Sequence, residues 1–352
     1  MIQGHGDDRY RFQREIRTDF SSNVYSHVDL EPLKAHLRAR LDVVGRYPEP
    51  EPYTLEKALA AQFGIDPTAV CVTAGATEAI YLIAHAFAGS RSTILQPTFS
   101  EYADACRLYH HSLDASERSD GWFLDREHFS ASGTKTRGAE QAMIWLCNPN
   151  NPTGGVIPKE LLEKAIGDHP ETVFVIDQSY GFFTQAPLLT AAEAAGYPNV
   201  IQLHSMTKRY AMPGIRLGYV TAHPALIEKI RAVRMPWSVN ALAIEAGLYL
   251  CAHPDTAFID LPALLTETQR LRVHLNAIPG LTAEATQTHF FLCRLARARA
   301  ADLKQRLAKD YGILIRDASN FEGLDEHCFR IATQTPDEND LLADAILTCL
   351  SH

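Results

Sequence analysis

Lys208 stands among hydroxyls, with Ser205 and Thr207 just before it and Arg216 eight positions after it. An amine beside other cations and apolar walls loses its proton more readily and becomes a usable nucleophile. Asp177 ends the apolar run Val173–Asp177. A carboxylate there is costly unless it meets a cation or hydrogen-bond donors. The stretch Asn148-Pro149-Asn150-Asn151-Pro152-Thr153-Gly154 carries two Asn–Pro steps in seven residues, which force a defined, non-helical path and can aim an amide at one place. Ala74-Gly75-Ala76-Thr77-Glu78 opens a helix with small residues, and helix N-terminal amides with a threonine hydroxyl accept an anion. Phe99 in PTFSEY is a candidate stacking face. Each has an ordinary counterpart: a strand–helix turn with Thr77 as cap, a core aromatic, a plain turn, an aspartate capping the next segment.

Short apolar strands and amphipathic helices must position these groups. The pattern predicts a helix over Leu55–Phe63 with Thr54 as N-cap and Gly64 as stop, then a strand at Val70–Thr73 and a helix over Thr77–Ala88. It predicts strands at Thr93–Gln96, Met143–Cys147, Val173–Asp177, Val200–Leu203 and Leu217–Thr221, with a helix at Lys159–Ile166. Strands apolar throughout, alternating with helices, imply an α/β fold with a mostly parallel sheet covered on both faces, whose ligand lies beyond the carboxyl ends of the strands. The last third reads as a smaller α+β module. Its helices are predicted near Leu226–Val233, Leu261–Leu275, Ala300–Tyr311 and Asp337–Leu350, its strands at Ile313–Arg316 and Cys328–Thr333. The division expected is an N-terminal arm over 1–30, a large domain over 31–235 and a small domain over 236–352, the boundary falling near Pro236.

The chain has 352 residues, 46% hydrophobic and 21% charged, with 33 Lys+Arg against 42 Asp+Glu and a net charge of −9. That excludes a disordered or collagen-like chain and argues against nucleic-acid binding. Seven scattered cysteines, none in a CxxC pair, read as reduced, buried thiols. The opening MIQGHGDDRYRFQRE lacks an apolar signal region and no run of 18 apolar residues occurs, so a cytoplasmic protein without a membrane span is expected. There is no GxxxxGK[ST] loop, no GxGxxG after a strand, no HExxH and no GxSxG, and no metal site is expected.

Together, successive strand ends offer an anion cradle, an aromatic plate, an amide, a carboxylate and an amine. Pyridoxal 5′-phosphate asks for these groups: amides, hydroxyls and an arginine for its phosphate, a stacking face for its ring, donors for O3′, a carboxylate for its pyridinium nitrogen, a lysine for its aldehyde.

The order of GATEA, PTFSEY, NPNNPTG, DQSY, SMTKRYAMPGIRLGY and FRIAT resembles the fold-type-I pyridoxal-phosphate enzymes of the aspartate-aminotransferase superfamily, over about Asp19 to Thr333. Within it, RYPEP is similar to the histidinol-phosphate aminotransferase branch. Gly4-His5-Gly6-Asp7 with Asp19-Phe20-Ser21-Ser22-Asn23 is similar to the opening of the threonine-phosphate decarboxylase branch, which serves cobalamin synthesis. Two departures stand out: Val24-Tyr25-Ser26 follows Asn23 where that branch continues N-x-N-P, and Gln178 follows Asp177 where the superfamily has Glu.

The resemblance implies that Lys208 joins the cofactor aldehyde and Asp177 partners the pyridinium. Asn151 and Tyr180 would reach the O3′ side, and Phe99 would stack on the ring. Ala76, Thr77, Ser205, Thr207, Arg216 and a second subunit's Tyr47 would hold the phosphate, so a homodimer with shared sites is implied. Arg330 would grip the substrate carboxylate by a bidentate fork. Arg316, with His5 and Asn23, would take a substrate phosphate. His110 and His111 match nothing in the family and read as surface residues. Three functions follow: decarboxylation of O-phospho-L-threonine, transamination of histidinol phosphate or a related amino acid, or a non-catalytic role on the same scaffold, which an intact lysine–aspartate pair argues against.

Overall fold

The computed structural model describes residues 6–114 and 142–351. Seven strands form the large sheet in the order Val70–Thr73, Gly218–Ala222, Val200–Ser205, Thr172–Asp177, Ala142–Cys147, Arg91–Ile94, Ser112–Asp114. All pairings are parallel except the two made by Gly218–Ala222, which runs backwards between its neighbours. The middle strands are apolar throughout because both faces are covered. Met143, Trp145, Val173 and Val175 point into one core, and Ile144, Leu146, Phe174 and Ile176 into another, with the two-residue alternation of a pleat.

The helices hold to their expected places with shifted ends. The first long helix runs Tyr53–Phe63 with Pro52 at its N-cap. Thr54 is not the cap: its amide and hydroxyl both bond the Glu49 carboxylate, which reaches back to satisfy the first turn. Gly64 stops the helix in the left-handed region. The strand expected at Thr93–Gln96 sits at Arg91–Ile94. His111 is buried, its Nδ1 2.8 Å from Ser92 Oγ and its Nε2 2.8 Å from the Ala84 carbonyl, so only His110 of that pair is a surface residue.

The small domain is a four-stranded antiparallel sheet, Arg316–Asp317, Cys328–Ala332, Phe290–Leu295, Leu281–Ala283, packed with Ala300–Arg306 and Pro336–Leu350. The helix predicted over Ala300–Tyr311 widens to a π-turn over Leu307–Tyr311. The strand predicted at Ile313–Arg316 splits in two. Ile313–Leu314 pairs with Thr18–Asp19 of the arm, and Arg316–Asp317 pairs with Cys328–Ala332. The small-domain core is built from Leu271 onward together with Phe20 of the arm. Helix Ala241–Ala252 packs with Leu55, Leu59 and Val70 against the large domain, whereas Leu264 and Leu271 of helix Leu261–Asn276 reach from one core into the other.

The N-terminal arm is fastened to the small domain. Arg17 N donates to the Gly312 carbonyl (2.8 Å), Phe20 is buried in the small-domain core, and Lys304 Nζ holds both Asp8 oxygens at 2.8 and 2.7 Å. The seven cysteines are all free thiols. No described helix is long and apolar enough to cross a membrane.

Candidate active site

Three strand ends converge on one cleft. Asp177 closes Thr172–Asp177 and lies in register with Cys147, the last residue of the neighbouring strand. Lys208 lies in the single turn Met206–Arg209 that follows Val200–Ser205. That strand then hairpins to Gly218–Ala222, with Ser205 opposite Gly218, which brings Arg216 back to the same edge. The cleft has a volume of about 490 Å³. Its walls come from all three parts of the chain: Asp7, Arg9, Arg17, Asp19, Ser21 and Ser22 from the arm, Phe321 with the two small-domain arginines, and the strand-end residues of the large domain.

Asp177 is buried and accepts from the Tyr102 hydroxyl and the Ser179 amide, both at 2.8 Å. Burial raises its carboxyl above the usual range, while Ser179, Tyr102 and Lys208 pull the other way. Lys208 Nζ donates to the Ser22 carbonyl at 2.8 Å. Burial, then Arg330, then Arg216 bring its amine down to about 8, so it loses its proton far more readily than an ordinary lysine. Burial pushes the Tyr180 phenol up to about 12.

The phosphate end is a cradle of bare backbone. Gly75 has φ +92°, and a Cβ there would stand 2.7 Å from Arg216 Nη2. A Cβ on Gly218 would stand 2.7 Å from the Ala76 amide nitrogen. The cradle therefore needs glycine at both positions, and it gathers the helix N-terminus at Ala76 and Thr77 with the Arg216 guanidinium. Ser205 Oγ and Thr207 Oγ1 sit 2.6 Å apart beside it. Phe99 lines the cleft, edge-on to Tyr102 with centroids 5.9 Å apart. An anion cradle, a carboxylate, a lysine and an aromatic wall in one cleft fit pyridoxal 5′-phosphate, and Ala76, Thr77, Ser205, Thr207 and Arg216 would hold its phosphate.

Arg316 and Arg330 face each other across two antiparallel strands. Arg330 bonds Asn151 Oδ1 and the Ser21 carbonyl, and its Nε has no partner among the described residues. Arg316 bonds the Asp317 carbonyl and Asn320 Oδ1, the latter at 2.7 Å. Burial first, and the neighbouring Arg330 second, bring Arg316 down to about 9; burial brings Arg330 to about 10.

Of the residues expected at the site, Lys208, Asp177, Tyr180, Ala76, Thr77, Phe99, Asn151, Ser205, Thr207, Arg216, Arg316 and Arg330 all line this cleft. Asn23 does not: it is fully buried beside Tyr180. Tyr47 lies outside as well, 87% exposed, its ring 5.6 Å from that of Trp237. His5 lies outside the described residues. Sequence reasoning missed Tyr102, the Ser21 and Ser22 carbonyls, and the arm residues Asp7, Arg9, Arg17 and Asp19. Tyr102 had a signal, as the last residue of PTFSEY; the carbonyls had none.

The aminotransferase class I and II family model matches residues 15–346. Threonine-phosphate decarboxylase of Salmonella typhimurium is 31% identical over 344 residues, 95% of this chain and 91% of that protein. Histidinol-phosphate aminotransferase of Parabacteroides distasonis is 30% identical over 305 residues, 86% of each. The crystal structure of L-threonine-O-3-phosphate decarboxylase from Porphyromonas gingivalis superposes with a TM-score of 0.88 at 38% identity, covering 95% of this chain and 99% of that one. With its strand-end lysine and aspartate in one cleft and the family's pattern running through both domains, the chain belongs to the aminotransferase class I and II family.

Proposed function

We propose that the protein is a pyridoxal-phosphate-dependent carboxy-lyase that converts O-phospho-L-threonine to (R)-1-aminopropan-2-yl phosphate and CO2, a step of cobalamin biosynthesis. The observation that carries the substrate is the opposed pair Arg316 and Arg330, neither ion-paired among the described residues. Like charges directly opposite each other on a sheet are destabilising, so the pair is built for anions. Arg216 belongs to the cofactor phosphate, which leaves two guanidiniums for a substrate carrying a carboxylate and a phosphate.

Bound pyridoxal 5′-phosphate supplies an electron sink for the bond at the substrate Cα that stands perpendicular to its ring. The chain does the rest. Arg330, braced by Asn151 and Ser21, orients the carboxylate. Asp177 keeps the pyridinium nitrogen protonated. Lys208, with its lowered proton affinity, holds and delivers a proton at Cα once the carboxylate has gone. The arm residues form one wall of the cleft.

Transamination of histidinol phosphate is the second reading, favoured by relatives such as that of Parabacteroides distasonis. The same lysine and arginines would serve it, because only the orientation of the Cα bonds differs. Incubation with O-phospho-L-threonine separates the two by whether CO2 and the amino alcohol phosphate appear.

The working unit is a homodimer. Tyr47 is outside its own cleft and exposed, next to the exposed Trp237, as a residue serving a second subunit's cofactor phosphate would be. Free thiols and the net charge of −9 fit a cytoplasmic enzyme that does not bind nucleic acid.

A further inference from the structure

The turn by which the arm reaches into the cleft is built around one carboxylate. Asp19 Oδ1 accepts from the Ser21 amide at 2.7 Å and from the Ser21 hydroxyl at 2.6 Å. The same hydroxyl oxygen accepts from the Asp7 amide at 2.8 Å. Gly6 lies against the turn: a Cβ there would overlap the Ser21 carbonyl and stand 3.2 Å from Ser22 Cα. Phe20, between Asp19 and Ser21, is tied to the small domain through both of its backbone groups. Its amide donates to the Leu314 carbonyl at 2.8 Å, and its carbonyl accepts from the Ala332 amide at 2.9 Å. Ala332 stands two residues after Arg330 on the same strand. The turn therefore runs beside the arginine's own strand, with its peptide groups fixed from several directions.

An aspartate that bonds the amide two residues on is a common way to close a turn. Here the closed turn points its carbonyls at cations. Ser21 gives its carbonyl to the Arg330 guanidinium, and Ser22 gives its own to Lys208 Nζ. Arg330 is buried and has no carboxylate partner among the described residues; two neutral acceptors, Asn151 Oδ1 and the Ser21 carbonyl, hold it. Neutral acceptors fix the direction of a guanidinium without cancelling its charge, which stays available to an anion. We propose that Asp19 is a positioning residue: it sets the Ser21 carbonyl, that carbonyl aims Arg330, and Arg330 takes the substrate carboxylate. Asp19 Oδ2 also faces Arg9 Nη2 at 3.5 Å, and its charge favours the protonated forms of Arg330 and Lys208. The brace and the charge are separable, because asparagine keeps the accepting oxygen and drops the charge.

The inference rests on Arg330 being the carboxylate-binding arginine of the proposed function, and its test carries a control for that reading. The holoenzyme is titrated by calorimetry with 3-phosphoglycerate, which has a carboxylate and a phosphate but no amine to react, and with glycerol 3-phosphate, in which a hydroxymethyl group replaces the carboxylate. The unaltered protein should bind the first more tightly, and Arg330→Gln should erase that preference. Asp19→Ala should weaken 3-phosphoglycerate about ten-fold, as the loss of one well-aimed charge-assisted hydrogen bond does, and change glycerol 3-phosphate by less than about two-fold. Asp19→Asn, which keeps the brace, should stay within about three-fold of the unaltered protein for both ligands. Gly6→Ala, which pushes on the same carbonyl, should repeat the effect of Asp19→Ala and takes its place should that variant not fold. A preference that survives Asp19→Ala, an equal weakening of both ligands, or an Asp19→Asn protein as weak as Asp19→Ala would each overturn the positioning role while leaving Arg330 in its own. A protein with no preference for 3-phosphoglycerate, or with one that survives Arg330→Gln, defeats the carboxylate reading of Arg330 and this proposal with it.

Discussion

The Lys208 amine donates a 2.8 Å hydrogen bond to the Ser22 carbonyl, so the arm that is strapped to the small domain also touches the nucleophile of the large one. The amine sits in a cationic, desolvated corner that brings it down to about 8. Cofactor attachment needs the neutral amine. The rate at which apoprotein captures pyridoxal 5′-phosphate should therefore rise with pH and level off near 8, where a lysine at its ordinary value would still be climbing past 10. Arg330 disfavours the protonated amine, so Arg330→Gln should move the plateau to higher pH. Stopped-flow absorbance across pH reads both, and borohydride reduction should fix the cofactor on the peptide containing Lys208.

Asp177 should be needed for turnover and dispensable for attachment. An ion pair at about 4 Å with an effective dielectric near 20 contributes roughly 4 kcal/mol before desolvation. Asp177→Asn should keep a visible cofactor band and lose activity by about 100- to 1,000-fold, because the neutral ring is the poorer electron sink. Steady-state kinetics beside an absorption spectrum checks this; near-normal turnover would remove Asp177 from the role.

Arg316 and Arg330 should separate by substrate. A charge-assisted hydrogen bond contributes about 1.5–3 kcal/mol, so losing one donor weakens binding about ten- to a hundred-fold. Arg316→Ala should raise KM for O-phospho-L-threonine by that factor and leave the weak binding of unphosphorylated threonine nearly unchanged. Arg330→Ala should weaken both, since both carry the carboxylate.

The folding pattern was legible because the sheet is buried on both faces. Val173–Asp177 and Met143–Cys147 read as strands from their unbroken apolar runs, and the acid, amide and lysine stood at their ends. Tyr102 was not legible as a partner of Asp177, because the two lie 75 residues apart and only the parallel sheet brings them to 2.8 Å. The Ser21 and Ser22 carbonyls are backbone, which leaves no residue type to read. His111 looked like a surface residue because nothing local tells of Ser92, which the neighbouring strand places against it. Thr54 was mistaken for a cap because the true partner, Glu49, reaches back from five residues earlier.

The shared-site dimer makes its own prediction. Tyr47→Ala and Lys208→Ala proteins should each be inactive or weak, and mixing them should restore part of the activity through hybrid dimers with one intact site. Activity assays after proven subunit exchange check it, and no rescue would return Tyr47 to the surface of its own subunit.

Substrate and reaction type are tested together by supplying O-phospho-L-threonine labelled with ¹³C at the carboxyl carbon, in parallel with histidinol phosphate plus 2-oxoglutarate. The arginine pair and the lysine predict release of labelled CO2 with stoichiometric 1-aminopropan-2-yl phosphate, and little or no glutamate from the second mixture. Glutamate formed at a good rate from histidinol phosphate, with no labelled CO2 from O-phospho-L-threonine, would contradict the decarboxylase and make the protein an aminotransferase.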